Sequence, residues 1–339
     1  MCAKPTEGWG NLQEGGQSYH PLRRSLGSSL HLPMMQKWVE YVRRASGDSC
    51  IWNTGHQYGD WLALDAGEGN YTGASRKEFI ATAFYAHSAQ LLAQAMDALD
   101  MDGAAYHRLF ETIRAEHQNA FPDCRTQTEC ALALHFGLAA APDRVAAQLA
   151  ELVRSNGNRL TTGFVGTPYL LHALSENGYA QTAYDLLLQT KAPSWLFSVK
   201  MGATTVWEHW DSRKADGSFW STDMNSFNHH AYGAVADWLY AAAGGIRPGK
   251  PGYETVLFSP IPNRRLQRFE VVVNTPHGKV CSCWKWNGPT VTYVLTTPVS
   301  AEIRLGGEQH NVAAGTYTFV RGGYDKSPYE AKDFLNVRR

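Results

Sequence analysis

The densest concentration of reactive groups in this 339-residue chain is Lys200-Met201-Gly202-Ala203-Thr204-Thr205-Val206-Trp207-Glu208-His209-Trp210-Asp211-Ser212. It sets one carboxylate between two indoles, in a stretch with no amphipathic period. A carboxylate beside apolar rings is partly desolvated, which suits it to acid–base work. Trp207 and Trp210 would give a sugar ring flat faces to stack on; alternatively both are core packing and Glu208 caps a helix. A second run, Tyr58-Gly59-Asp60-Trp61-Leu62-Ala63-Leu64-Asp65, has before its Asp-Trp pair a glycine that permits unusual backbone. Asp60 and Trp61 there pair a hydrogen-bonding carboxylate with a stacking face, or else form an N-cap beside a buried indole. Gly8-Trp9-Gly10 adds another tryptophan between glycines, equally readable as an exposed indole near the chain end. In Phe227-Asn228-His229-His230-Ala231-Tyr232-Gly233, one of two adjacent histidines could donate to a ligand hydroxyl or take a packing role. Helical neighbours point about 100° apart, so the two cannot ligate one metal. No H-E-x-x-H pattern, phosphate loop or G-x-S-x-G elbow is present, so no metal, phosphate or serine-nucleophile chemistry is expected, and no cofactor.

These residues need elements to hold them. The hydrophobic period is helical up to about residue 247. Ser75-Arg76-Lys77-Glu78 has the form of a capping box ahead of a stripe at Ile80, Phe84, Leu91, Ala95 and Leu99. Thr126-Gln127-Thr128-Glu129 repeats that form before Leu132, Leu134 and Leu138. Pro142 suits a first helical position and Gly157 a stop. A last helix is expected from Asn228 to Ala243. Short turns at 100–102, 141–142 and 177–178 imply antiparallel helix pairs. Longer links at 51–74, 158–167 and 193–227 separate the pairs. Eight or nine helical segments between Met34 and Ala243 fit an incomplete (α/α)6 toroid over 34–247. Past Pro248 the period becomes two, at Phe269/Val271/Val273, Val280/Ser282/Trp284 and Val291/Tyr293/Leu295, with a hairpin signal at Asn287-Gly288. The reading is mainly α with a second all-β domain, a small antiparallel β-sandwich over 248–322 of about seven strands. Residues 1–33 are an atypical N-terminal segment, and 323–339 a polar tail.

Composition narrows the partners. Lys+Arg and Asp+Glu are both 31, so the basic footprint of a nucleic-acid binder is absent. Aromatic residues are 12% of the chain, with 11 tryptophans, which argues against disorder and for aromatic walls. No run of 18 apolar residues offers a membrane span. The first residues have no apolar core of a signal peptide. The six cysteines are too few for a disulfide framework and are expected as free thiols, with Cys281 and Cys283 packed on one strand face; a cytoplasmic location follows.

Together, Gly202-Ala203-Thr204-Thr205-Val206-Trp207-Glu208-His209-Trp210-Asp211 and Asn228-His229-His230-Ala231-Tyr232-Gly233 resemble the bacterial α-L-rhamnosidases of glycoside hydrolase family 78. Tyr58-Gly59-Asp60-Trp61-Leu62-Ala63 and Gly163-Phe164-Val165-Gly166-Thr167 fit it too, and the resemblance covers about 34–320. It implies an (α/α)6 toroid and hydrolysis of α-L-rhamnosides with inversion. Glu208 would be the general base, His229 would bind rhamnose hydroxyls, and Trp61 and Trp9 would line the pocket, with Asp60 and Trp207 beside them.

The chain departs from the family pattern at its start. Gly8-Trp9-Gly10-Asn11 would match a family motif that follows the acid-bearing segment, and only seven residues precede it. Residues 12–32 show no apolar helical stripe where the family has a helix. The expectation is a truncated chain without its general acid, low activity alone, and self-association through the open toroid. Asp60, Asp65, Asp211 and Asp223 are carboxylates that could replace the acid. The alternatives are a non-catalytic rhamnose-binding or interaction remnant, or another α/α-toroid glycosidase or polysaccharide lyase.

Overall fold

Helices α2 (Lys77–Ala98), α4 (Gln127–His135) and α6 (Thr167–Glu176) bury almost every face. Helices α3 (Ala104–Ala120) and α5 (Pro142–Ser155) bury one stripe each, Phe110/Ile113/His117 and Val145/Leu149/Val153. That contrast defines an inner and an outer layer. The single stripe expected on α2 is thus corrected: Phe79 to Ala86 are all buried, and alanines at 81, 83, 86 and 89 let neighbours approach from several sides. The structure is a computed structural model that describes residues 26–67 and 70–322.

Helix α1 (Leu26–Ser46) packs on α2 through Leu32, Met35, Val39 and Val42. It begins ahead of Met34 and runs through Pro33, so the stripe starts inside the segment expected to lack one. Helix α7 (Ala180–Leu187) packs on α6, and α8 (Trp195–Lys200) interrupts the long link after it, with Ser194 capping Phe197 N at 3.1 Å. The last helical segment starts at Ala231, later than expected, and changes pitch twice: a 3-10 turn (Ala231–Ala234), α9 (Val235–Trp238) and a π turn (Leu239–Ala243).

The chain then builds β1 (Ile246–Pro248), β2 (Val256–Phe258), β3 (Arg268–Thr275), β4 (Gly278–Asn287), β5 (Thr290–Thr297), β6 (Ala301–Leu305), β7 (Glu308–Val312) and β8 (Gly315–Arg321). Two four-stranded sheets, ordered β1-β2-β6-β7 and β3-β4-β5-β8, enclose Phe258, Trp284, Tyr293 and Ile303. One pair corrects the antiparallel expectation: β2 and β6 are parallel, because the chain crosses to the other sheet for three strands before returning. The β4–β5 turn falls at Gly288, φ 58°, with Asn287 already paired to Thr290. Val280, Ser282 and Trp284 point inward, so Cys281 and Cys283 lie on the outer face, half-buried rather than packed.

Helices α2, α4 and α6 all begin at one end of the molecule, and the long links gather there. The N-termini of α2 and α4 are joined by an ion pair. Arg76, the N-cap of α2, puts Nη2 2.7 Å from Glu129 Oε2 and Nε 3.0 Å from Oε1. Glu129 also accepts from Arg76 N and Arg125 N, each at 2.8 Å, and its side chain is fully enclosed. Neither expected capping box closes. Glu129 turns to Arg76 instead of to Thr126 N, and Ser75 Oγ meets Thr126 Oγ1 at 2.7 Å. Thr126 nonetheless caps α4, accepting from Glu129 N at 3.1 Å. At the opposite end, His172 of α6 contacts Asp237 of α9 at 2.8 Å and Glu176 at 3.7 Å. Among the described residues no helix is long and apolar enough to cross a membrane.

Two stability predictions follow from these pairs. Glu129→Ala leaves Arg76 with Asp123 as its remaining acceptor and strips two backbone N–H groups, of Arg76 and Arg125, of theirs. It should cost about 3–5 kcal/mol in urea unfolding, whereas Glu116→Ala on the surface of α3 should leave the midpoint nearly unchanged. Burial lowers the pKa of His172, but its bonds to Asp237 and Glu176 outweigh this and hold it above the ordinary histidine value. A folded pKa above the unfolded value of about 6.5 stabilises the fold below that pH and loses the contribution as pH rises through the folded pKa. The urea midpoint should therefore fall between pH 6 and pH 9 by more in the native chain than in His172→Gln.

Candidate active site

Asp60 organises the end where the long links meet. Its carboxylate is wholly buried, and four donors converge on it: Thr128 Oγ1 at 2.5 Å and Gly163 N at 2.8 Å on Oδ2, Val165 N at 2.8 Å and Gly166 N at 3.2 Å on Oδ1. Burial pushes its pKa above the ordinary aspartate range, and these four bonds pull it back. The glycines are sterically required: a Cβ at Gly163 would lie 2.1 Å from Trp61 O, and one at Gly166 2.4 Å from Thr128 Oγ1. This corrects the expectation that Asp60 touches sugar or replaces an acid, because no face of it is left open. It is a clamp between the Asp60 loop, α4 and the loop preceding α6.

The clamp sets two rings. Phe164 N donates to Trp61 O at 2.9 Å, so the Phe164 ring is fixed relative to Trp61. Trp61 is half-buried and stacks on Tyr71, centroids 5.3 Å apart. Leu62 N bonds Tyr71 O at 2.6 Å and takes a left-handed φ of 59°, which turns the chain between the two rings. Phe164 in turn stacks on His229 at 4.7 Å. His229 is half-buried, while its neighbour His230 is exposed. The Nδ1 of His229 accepts from Ala231 N at 3.3 Å, which places the proton of the neutral ring on Nε2 as a donor. Burial lowers the His229 pKa, partly offset by the charge of Glu208, so the ring is neutral at pH 7.

Glu208 reaches the same place through backbone pairing. His229 N donates to Val206 O at 2.8 Å, and Glu208 N to Ser226 O at 2.9 Å. Ser226 N returns a bond to Glu208 Oε2 at 2.7 Å. Oε1 has no hydrogen-bond partner among the described residues, and the side chain is half-buried. Beneath lies Tyr232, fully buried, whose hydroxyl pKa is pushed well above the ordinary tyrosine value by burial and by the charges of Asp60, Glu208 and Asp211. Tyr232 stacks on Trp210 at 3.9 Å, and neither its hydroxyl nor the Trp210 Nε1 has a partner among the described residues.

The structure thus brings Trp61, His229 and Glu208 together through Phe164 and the 206–229 pairing. It does not offer Trp207 or Trp210 as stacking faces, since both indoles are buried, Trp207 edge-on to Phe227 at 5.5 Å. Trp9 lies outside the described residues. Asp65 binds Ala74 N at 2.7 Å and is raised by burial, as is Asp211. Two aromatic positions at this end were not singled out in the sequence, Tyr71 and Trp220, the latter stacked on His209 at 3.7 Å and edge-on to Tyr71 at 5.6 Å; Phe164 stood there only within the 163–167 run. The signal available was weak: Asn70 and Thr72 flank Tyr71, and Ser221 follows Trp220. Among the described residues no group of three or more His, Cys, Asp or Glu side chains is arranged to hold a metal ion.

The chain has well-defined relatives. Residues 29–243 match the bacterial alpha-L-rhamnosidase 6 hairpin glycosidase domain, and 245–317 the bacterial alpha-L-rhamnosidase C-terminal domain. An alpha-L-rhamnosidase of Streptomyces avermitilis is 35% identical over 303 residues, covering 86% of this chain and 28% of that protein. One from Formosa agariphila is 36% identical over 285 residues, covering 80% of this chain and 31% of its own length. The crystal structure of the Streptomyces avermitilis alpha-L-rhamnosidase complexed with L-rhamnose superposes with TM-score 0.82 at 30% identity, over 91% of this chain and 32% of that one. Native alpha-L-rhamnosidase from Aspergillus terreus gives TM-score 0.86 at 28% identity, over 92% of this chain and 38% of its own. The chain therefore spans about a third of the length of these relatives. With that helical domain matched over more than half of its residues, the chain belongs to the bacterial α-L-rhamnosidase six-hairpin glycosidase family.

Proposed function

We propose that this chain carries the base side of an inverting α-L-rhamnosidase site that acts on terminal α-L-rhamnosides. The observation that supports this most directly is the state of Glu208: one oxygen is held by Ser226 N and the other is free, beside His229 and within the ring system that includes Trp61. In this reading Oε1 takes a proton from the attacking water while the Ser226 N–H keeps the carboxylate in position. His229 donates from Nε2 to a rhamnose hydroxyl, and Trp61 supplies the stacking face. Inversion needs a second carboxyl about 6.5–9.5 Å away to protonate the leaving group. Asp60 is assigned no such part, because its oxygens are saturated, and the reading gives the acid role to no described carboxylate.

The test separates binding from turnover. L-Rhamnose should quench tryptophan fluorescence of the chain, and Trp61→Ala should remove most of that change; no response to rhamnose would overturn the sugar-site assignment. A nitrophenyl α-L-rhamnoside, whose phenolate leaves without protonation, should be hydrolysed slowly, and natural rhamnosides negligibly. Glu208→Gln should lower the nitrophenyl rate by about 10²–10⁴-fold. An unchanged rate in that variant would remove Glu208 from the mechanism.

A further inference from the structure

Away from the site just described, helices α3 and α5 part over the inner helix α4 and leave a cavity of about 340 Å³. Its walls include Phe79, Phe121, Leu138 and Val145, of which Phe79, Leu138 and Val145 are buried. Gln118 and Gln148 also line it, but their amides are committed to backbone carbonyls, Gln118 Nε2 to Leu138 O at 3.0 Å and Gln148 Nε2 to Cys124 O at 2.6 Å. The exposed Asp123, paired with Arg76 and Arg125, and the exposed Arg144 line it as well, and His117 is the buried polar side chain among these residues that keeps a nitrogen unmatched. It is 2% exposed, its ring stands edge-on to Phe79 at 4.4 Å and Phe121 at 5.0 Å, and its Nε2 has no partner among the described residues.

The state of that nitrogen follows from its surroundings. The ring hydrogen-bonds the Phe79 backbone, and because Nε2 is the unpartnered nitrogen, Nδ1 makes that bond as donor to the carbonyl. Burial, together with the charge of Arg76, pushes the His117 pKa down to about 4. The imidazole is therefore neutral at pH 7 and offers Nε2 as a bare acceptor. A buried acceptor without a donor is unfavourable, and here it lies beside aromatic and aliphatic walls. A complementary occupant has one O–H donor on an otherwise apolar, flat body. The space is ample, since an apolar cavity of about 150 Å³ already accepts benzene.

We propose that this cavity is a binding site for a small aromatic alcohol of the phenol class, its hydroxyl donating to His117 Nε2 and its ring lying against Phe79, Phe121 and Val145. The proposal is independent of the rhamnoside site and survives if that reading fails.

Phenol and anisole, alike in size but only one of them a donor, serve as probes in titrations followed by the ¹⁵N signals of the histidine rings. Phenol should bind the unmodified chain at least about tenfold more tightly than anisole, and only phenol should move the His117 Nε2 resonance. His117→Leu should reduce phenol to the affinity of anisole, and Val145→Trp, which fills the cavity, should abolish both. Equal affinity for the two probes, absence of binding, or a phenol preference that persists in His117→Leu would overturn the proposal. The contrast between probes on the unmodified chain decides the matter even if a variant does not fold.

Discussion

The first turn of α4 ties this molecule together. Thr126, Gln127, Thr128 and Glu129 are all buried, and each sends its side chain to a different segment. Thr126 meets Ser75; Gln127 accepts from Thr161 N at 3.0 Å and donates to Arg159 O at 3.1 Å; Thr128 binds Asp60; Glu129 holds Arg76. A polar first turn is ordinarily solvated. Here each unmet group would cost about 1–3 kcal/mol, so the links before α2, before α4 and before α6 have one arrangement that satisfies all four. The aromatic surfaces of the site hang on those links and inherit their geometry.

The far end of the helical part depends on the β-sandwich in a comparable way. A helix leaves its last carbonyls without internal partners. The carbonyls that end the last helical segment find theirs across the junction: Ala242 O accepts from Ile261 N at 3.0 Å, Ala243 O from the buried Trp284 Nε1 at 2.8 Å, and Gly245 O from Ser259 N at 2.8 Å. Tyr184 of α7 closes the loop by donating to Ile261 O at 2.5 Å. The segment so anchored is the one whose first turn carries Tyr232, the ring beneath Glu208, so the β-domain fixes the helix end opposite the Glu208 loop.

Helix pairing, the change of period and the Trp-Glu-His-Trp and Asn-His-His runs were legible in the sequence because they are local patterns. What was not legible depended on distant partners. Asp60 reads as a ligand-binding carboxylate until Thr128 and the 163–166 loop, a hundred residues on, fill its oxygens. Trp207 and Trp210 read as sugar platforms because they flank Glu208. They are buried because the loop folds back on Phe227 and Tyr232. The half-exposed Cys281 and Cys283 carry the same lesson: alternation shows that they share a face, but only the register with Val280 and Trp284 shows which face is inner.

Two carboxylates at one end of the molecule therefore have opposite environments, and their chemistry diverges accordingly. Asp60 accepts four hydrogen bonds in complete burial, and those bonds hold its loop to α4 and to the 163–166 loop. Glu208 accepts one bond and keeps an oxygen free, a condition that leaves it able to exchange a proton with water. The two are linked in series. Asp60 fixes Gly163 and Val165, the Phe164 between them seats His229, and the His229 backbone pairs with Val206 two residues before Glu208. A half-buried carboxylate with one oxygen unmatched keeps a fixed position only where its surroundings are over-determined, and in this chain the sealed carboxylate supplies that determination.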